Sequence, residues 1–474
     1  IIQTVGATVM NTIKGNRSEM LHAEVNVLLV TFRRLLRRRA RTNLEKLALK
    51  THPADLALLF RHFSDEERLQ VFIIIQKTDI VGEFLTELDE SIVQTLLEPL
   101  DAERVAVLLE EVSSDDRADI LNLLPEEKAS AILKAFDREE SEELEELMSY
   151  APDTAGGIMS VDPFFLPEST TATEAVTHIQ SSEDAEMVFY LYVTDENEKL
   201  TGVVSLRDLV VAPSGKTLGS IMQSNVVSVT TDTDQEEVAR QVSQYNLLAI
   251  PVVGADNTLL GIVTVDDVVD VIREEATEDF LKMAGIGKDR EILMKSTWEN
   301  ARLRLPWLFA SWIGGTAAAY IIGWYQDMLM SMVALVAFIP VIVGMGGNIG
   351  TQSSTIIIRG FATGRVQLAQ VGKIILKEIR VGVLLGVFYG ILLGIVAYLK
   401  FIDIGEPIRL GLVVGFAIFA SMLIATSIGT LVPIFLRRLN IDPAIASGPF
   451  VTTSTDVLGI LLYFIIANSL LQTL

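Results

Sequence analysis

An aspartate inside a segment apolar enough to cross a membrane is the residue of this chain whose setting points most directly to chemistry. Asp456 lies about two helical turns into such a segment, in Val451-Thr452-Thr453-Ser454-Thr455-Asp456, with hydroxyls on the neighbouring turns. An ionisable side chain at the centre of a spanning helix costs on the order of 2.5–3.5 kcal/mol on insertion scales and usually marks an ion route. No Lys or Arg falls within the apolar cores to neutralise it. A second apolar stretch supplies matching groups in Val343-Gly344-Met345-Gly346-Gly347-Asn348-Ile349-Gly350-Thr351-Gln352-Ser353-Ser354. Its small residues permit close helix packing, and its amides and hydroxyls need polar company in a bilayer. Carboxylate and carbonyl oxygens suit a hard cation, and Mg2+, which dehydrates reluctantly, can be recognised with water still attached. One Asp per chain is a thin filter. A symmetric dimer would bring two Asp456 side chains to one axis.

The elements that must position these groups are five apolar segments, near 305–325, 329–357, 381–399, 410–435 and 448–471. Each is close to or above the roughly 20 residues that cross the hydrocarbon core. The connection 358–380 carries Arg359, Arg365, Lys373, Lys377 and Arg380, and 436–447 carries Arg437 and Arg438. The positive-inside rule makes both connections cytosolic, which predicts a multi-pass protein of the cell membrane with cytosolic N-terminal domains and an outside C-terminus. Pro433 and Ser447-Gly448-Pro449 are backbone breaks of the kind tolerated where protein or water satisfies the freed groups.

From residue 301 onward there are 11 Lys and Arg against six Asp and Glu; of the chain's 38 and 61 this leaves 27 against 55 in residues 1–300. So acidic a soluble half disfavours nucleic acid and favours cations as ligands. The absence of cysteine excludes disulfides and thiolate chemistry, and no P-loop, HExxH or Ser-His-Asp set is present among only four His, so no enzyme activity is expected. The start, Ile1-Ile2, is not an initiator Met, which suggests a trimmed or processed chain, and no signal peptide precedes the first acidic block. Residues 1–45 form a basic extension ending in Arg33-Arg34-Leu35-Leu36-Arg37-Arg38-Arg39, more readily a solvated helix face than a lipid contact. Over 46–150, short apolar clusters between acidic connectors predict a superhelical all-α domain of helices too small to bury their stripes alone.

The Gly-Gly break in Ala151-Pro152-Asp153-Thr154-Ala155-Gly156-Gly157-Ile158-Met159 opens a different pattern, in which residues 151–214 and 215–272 repeat one another. Gly202-Val203-Val204-Ser205-Leu206-Arg207-Asp208 corresponds to Gly261-Ile262-Val263-Thr264-Val265-Asp266-Asp267: a strand, then a helix opened by a hydroxyl and an acid. This α/β repeat resembles a tandem pair of CBS domains, in which the hydroxyl and acid face an adenine nucleotide; plain helix capping explains Ser205 and Thr264 equally well. An acidic connecting helix over 273–300 is expected to run to Trp298 and into the membrane domain, 301–474.

The domain order, the linker Asp153–Met159, the run Gly346–Ser353 and the spacing from Pro449 to Asp456 together resemble the MgtE family of magnesium channels, over roughly residues 45–474. The resemblance implies a homodimeric Mg2+ channel whose pore is lined by the second and fifth membrane helices, with Asp456 as selectivity carboxylate. It also implies closure by intracellular Mg2+ at Asp115, Asp119, Asp234, Glu236, Asp267, Asp270, Glu275, Glu278 and Asp279. Asp115 and Asp119, at i and i+4, would share a helix face. ATP binding in the CBS pair would involve Arg207, Asp208 and Tyr190, although Asn246 and Leu247 stand where an acid and a stacking aromatic are expected. The rival reading is a CBS-regulated secondary transporter for another divalent cation or an anion.

Overall fold

The computed structural model describes residues 25–472 except 162, 182–188, 214, 287–295, 367–370, 404–405 and 447. Ser447 and the start of the first repeated strand, Met187-Val188, therefore lie outside the described residues. The chain divides into two compact units, Ile1–Val268 and Val269–Leu474.

The first unit begins with short helices: α1 (25–37), α2 (Arg41–Ala48), α3 (Pro53–Phe60), α4 (Asp65–Ile75), α5 (Val81–Thr86), α6 (Glu90–Leu97), α7 (Ala102–Leu109), α8 (Ser114–Asn122), α9 (Glu126–Leu133) and α10 (Arg138–Ser149). Helices this short are marginal in water by themselves. Stability comes from stacking each on the next but one: α2 on α4, α3 on α5, α4 on α6, α5 on α7, α7 on α9 and α8 on α10. Phe60 and Phe84 are fully buried and meet edge to face at 4.8 Å. The basic extension joins this array: Phe32 is fully buried with its ring 6.0 Å from that of Phe63, and Arg33 pairs with Glu67 at 3.1 Å.

Two three-stranded sheets follow, β1 (Phe165–Pro167), β2 (Tyr190–Thr194), β3 (Leu200–Ser205) and β4 (Val229–Thr230), β5 (Ala249–Val253), β6 (Leu259–Thr264). Each pairs its first two strands in parallel and its last two antiparallel, with a register shift at the same place, Val193/Thr194 and Val252/Val253. Helices α11 (Ala172–Ser181), α12 (Leu206–Val211), α13 (Leu218–Ile221) and α14 (Gln235–Tyr245) complete the pair, and α15 (Val265–Met283) leaves it. The halves exchange their linkers. A side chain at Gly202 would collide with Met222, and one at Gly261 with the Ser160 carbonyl, so each glycine admits the segment that leads into the other half. The expected single connecting helix to Trp298 is corrected: α15 ends at Met283, and Gly285 takes the left-handed backbone (φ +71°) that terminates helices.

The second unit holds α16 (Thr297–Trp324), α17 (Gln326–Ser331), a 3-10 turn over Val333–Phe338, α18 (Ile339–Ala362), α19 (Val371–Lys400), α20 (Pro407–Arg438) and α21 (Pro449–Gln472). The stretches Thr297–Trp324, Val333–Ala362, Val371–Lys400, Pro407–Arg438 and Pro449–Leu471 are long and apolar enough to cross a membrane. A capping box at Ser296 and Glu299 starts α16 afresh. Helix α20 is central, packing against α18, α19 and α21.

Candidate ion path and regulatory sites

Helices α18, α20 and α21 approach closely because the contact positions lack side chains. A Cβ at Gly346 would stand 2.9 Å from Ser421 Oγ, one at Gly459 would stand 3.0 Å from the same atom, and one at Gly429 would strike the Gly350 carbonyl. Pro433 has no N–H to reach back to the carbonyl of Gly429, the residue where α20 meets α18. Beside this crossing, Asp456 Oδ1 lies 3.7 Å from where a Cβ would stand on Gly347. The carboxylate is half-buried and has neither an ion pair nor a hydrogen bond among the described residues. Thr455 donates its hydroxyl to the Thr452 carbonyl at 2.8 Å, Thr452 donates to Gly448 at 3.2 Å, and Thr351 to Gly347 at 2.9 Å. With their protons committed to backbone, these hydroxyls offer oxygen lone pairs to their surroundings. One carboxylate among oxygen acceptors, with no cation of the protein's own, is a chemistry for a hard cation.

A second acid in the membrane unit escaped the sequence reading. Glu378 of α19 is buried and accepts a 3.2 Å hydrogen bond from Ser353 of α18. Its neighbours Lys373, Lys377 and Arg380 made the segment read as a connection, whereas α19 already begins at Val371. The signal that could have found it is the four-residue glycine period beginning one turn later. Gly382, Gly386, Gly390 and Gly394 form a ladder against α20: a Cβ on Gly390 would stand 2.8 Å from the Gly415 carbonyl, and one on Gly394 2.8 Å from that of Gly411.

Of the acids expected to bind regulatory cations, three in α15 gather within the second unit. Glu278 is buried and paired with Lys282, whose ammonium also binds Asp442 in the connection between α20 and α21. Burial alone would lower the Lys282 ammonium, but the bonds to Asp442 and Glu278 hold it above its ordinary range. Burial, then the Asp442 charge, push the Asp279 carboxyl up to about 6, against the pull of Lys282; Glu275 and Glu278 add to the rise. Asp270 instead faces solvent, 3.9 Å from Arg273.

In the first unit the structure separates Asp115 from Asp119 on α8: the former is buried and the latter exposed. Asp115 Oδ1 has no hydrogen-bond partner, and burial raises its carboxyl, with Asp266 adding a smaller repulsion. Asp267 accepts from the Thr264 backbone N–H at 3.2 Å and from its hydroxyl, and burial followed by the Asp115 charge pushes it up to about 7. Asp115 and Asp267 thus form a repulsive, desolvated pair with an orphaned oxygen, a donor set that a divalent cation fits. Asp234 is spent otherwise, capping α14 through the Glu236 N–H at 2.9 Å; Glu236 itself is half-exposed. Among the described residues, no three acidic or histidine side chains close around one point.

In the CBS pair, Ser205 accepts from the Asp208 N–H at 3.1 Å and donates to Asp208 Oδ2 at 2.7 Å, so the hydroxyl and acid do cap α12. Arg207 and Asp208 are exposed and Tyr190 is half-buried. Asn246 is a left-handed cap at the end of α14 (φ 53°), a backbone role that favours Asn over other side chains.

Five apolar helices with a carboxylate between them, in one chain with a CBS-type pair, define a membrane transport protein. The profile described as divalent cation transporter matches residues 339–466, that of the MgtE intracellular N domain matches 51–153, and that of the CBS domain matches 155–215 and 218–274. The chain is similar to the magnesium transporter MgtE of Bacillus subtilis, 39% identical over 343 residues, 72% of this chain and 75% of that one. It is likewise 39% identical to the magnesium transporter MgtE of Thermus thermophilus over 334 residues, 70% and 73% of the two chains. A solved structure of the cytosolic domain of the Mg2+ channel MgtE in complex with ATP is 35% identical, covering 51% of this chain and 99% of that one at a TM-score of 0.48. The chain belongs to the MgtE family of divalent cation transporters and is a transporter, not an enzyme.

Proposed function

We propose that this chain is a Mg2+ channel for uptake across the cell membrane, formed by two copies that each present Asp456 to a shared path lined by α18 and α21. One observation carries the reading: Asp456 stands half-buried and unpartnered opposite Gly347, where α18 contributes backbone and no side chain. Two such carboxylates about a two-fold axis would set two negative charges against one hydrated dication. The magnesium transporters among its relatives support the choice of ion. The N-terminal domains are cytosolic and the C-terminus outside, as Arg437, Arg438 and the basic connection before α19 favour.

Closure by intracellular Mg2+ needs a ligand that binds the shut arrangement better than the open one. The pair Asp115 and Asp267 has that property, being repulsive when empty and favourable when bridged; Glu275 and Asp279 offer the same chemistry beside Asp442. ATP is assigned to the CBS pair near Arg207, Asp208 and Tyr190. The test is Mg2+ flux into proteoliposomes. Asp456→Asn and Asp456→Ala should lower flux by about tenfold or more, the equivalent of losing roughly 1.4 kcal/mol of ion stabilisation, while the protein still folds and dimerises. Wild-type flux in a folded Asp456→Ala protein would remove the pore assignment. Discrete single-channel currents are expected; slow saturable flux coupled to a second ion would favour a secondary transporter instead.

A further inference from the structure

Helix α20 has 32 residues, which at 1.5 Å per residue is about 48 Å, against roughly 30 Å of hydrocarbon. Of its two ends, the one that carries Arg437 and Arg438 suits the headgroup layer. The glycine ladder that clamps α19 to α20 stops at Gly382, and on its N-terminal side Val371 and Ile375 of α19 and Ile434 of α20 pack in one apolar cluster with a gap at its edge. The gap is a groove of about 400 Å³ bordered by Val371 and Ile375 of α19 and by Leu431, Ile434, Phe435 and Arg438 of α20. All of these but Arg438 are apolar. Leu431 and Phe435 are exposed, as is Arg438, which makes no ion pair or hydrogen bond among the described residues.

We propose that this groove binds one anionic phospholipid, an acyl chain lying between α19 and α20 with its phosphodiester on Arg438. The apolar walls favour a hydrocarbon chain over water. At the rim, at headgroup depth, an unpaired guanidinium presents a planar fork of N–H donors that matches phosphate oxygens two at a time. A net negative headgroup is preferred to a zwitterionic one because among the described residues no carboxylate lines the groove to offset the arginine; choline would place a second cation beside it.

The test uses the full chain in detergent, titrated with short-chain phosphatidylglycerol, short-chain phosphatidylcholine or inorganic phosphate, with the melting midpoint as readout. Phosphatidylglycerol should raise the midpoint at a roughly fivefold lower concentration than phosphatidylcholine, the preference expected of one arginine at a lipid surface. Inorganic phosphate should leave it unchanged. Arg438→Gln should equalise the two lipids, and Ile375→Trp, which fills the groove, should remove the response to both. Because a tryptophan could also unsettle the helix pair, Leu431→Cys provides a second measurement in this cysteine-free chain. Its thiol, labelled with a bimane, should be quenched by a nitroxide-bearing phosphatidylglycerol and should not form a disulfide between copies. Equal response of the wild-type protein to both lipids, a response to phosphate alone, or efficient disulfide cross-linking between two copies of the Leu431→Cys variant would overturn the proposal, the last by making the groove a face between subunits.

Discussion

At the scale of single residues, two glycines of the helix crossing should respond oppositely to one methyl group. Gly347→Ala adds a Cβ in ordinary contact with Asp456 Oδ1, so the protein should keep its melting midpoint while Mg2+ flux falls as the carboxylate is crowded. Gly429→Ala drives a Cβ into a backbone carbonyl that cannot turn aside, which should cost about 1–3 kcal/mol or more and lower the midpoint together with flux. Loss of stability in the first variant, or its absence in the second, would show that the crossing is looser than described. Asp456 was legible in the sequence because a charge in an apolar run has no bland surface explanation. Glu378 was not, since three basic neighbours within five residues on either side disguised it as part of a solvated connection, and only its packing against Ser353 reveals that it is buried.

Among elements, the contact of α8 with the start of α15 should depend on pH in a direction fixed by its carboxyls. Asp267 sits at about 7 in the folded protein against about 3.9 in an unfolded chain. The stability linked to its protonation is therefore complete at acid pH and is lost as pH rises through about 7, the same sign holding for Asp115. Without divalent ions, protease resistance around α8 should rise between pH 8 and pH 6; with Mg2+ present it should be high throughout, because the cation replaces the proton. Asp267→Asn should be more resistant and less pH-sensitive without metal, with Asp115 left to titrate, and a variant that keeps the wild-type pH profile would refute the assignment. The end of α15 behaves differently, since Lys282 already supplies a cation to Glu278 and Asp442. Lys282→Gln should raise amide exchange over α15 in the absence of Mg2+ and much less in its presence. Glu278 and Lys282 stand at i and i+4 on α15, a spacing at which opposite charges pair on a helix. The partner that turns it into a tie, Asp442, is 160 residues away along the chain and carries no local signal. The Gly-started strands β3 and β6 and the repeated Gly-hydroxyl-acid motif, by contrast, were legible, because both halves of the CBS pair spell the same pattern, whereas the short strands β1 and β4 were not read.

The whole molecule is governed by its separation of charge, with 55 of 61 acidic residues in the first 300 positions. An acidic body of that kind repels itself, and monovalent salt screens it only over a Debye length of about 8 Å near physiological strength. Bridging cations act at contact and should do more. Tryptic cleavage within residues 46–275 of the full chain should slow in millimolar-range Mg2+ well beyond what KCl of equal ionic strength achieves. Equal protection by both salts would reduce the acids proposed to bind regulatory Mg2+ to solvated surface charge. The three-part architecture could be read from hydropathy and periodicity alone, since they change sharply at 150 and 300, whereas the break at Gly285 depended on a backbone angle that composition does not record.

The glycine ladder of α19 behaves like a ruler with evenly spaced marks, and such a ruler can be misread by one division. Rungs four residues apart correspond to a slide of about 6 Å, after which Gly386 would face the position now held against Gly382 with little steric protest. What defines zero is whatever is not repeated: Phe419 and Thr426 on α20, and above all Glu378, whose hydrogen bond to Ser353 exists in one alignment only. Buried polar pairs are known to select one alignment over others at some cost in stability. Glu378→Leu should accordingly give a chain at least as heat-resistant as the wild type but with more than one alignment of α19. Cysteine pairs placed to cross-link either 386 with 419 or 386 with 426 would then both react, where in the native sequence the first alone should close.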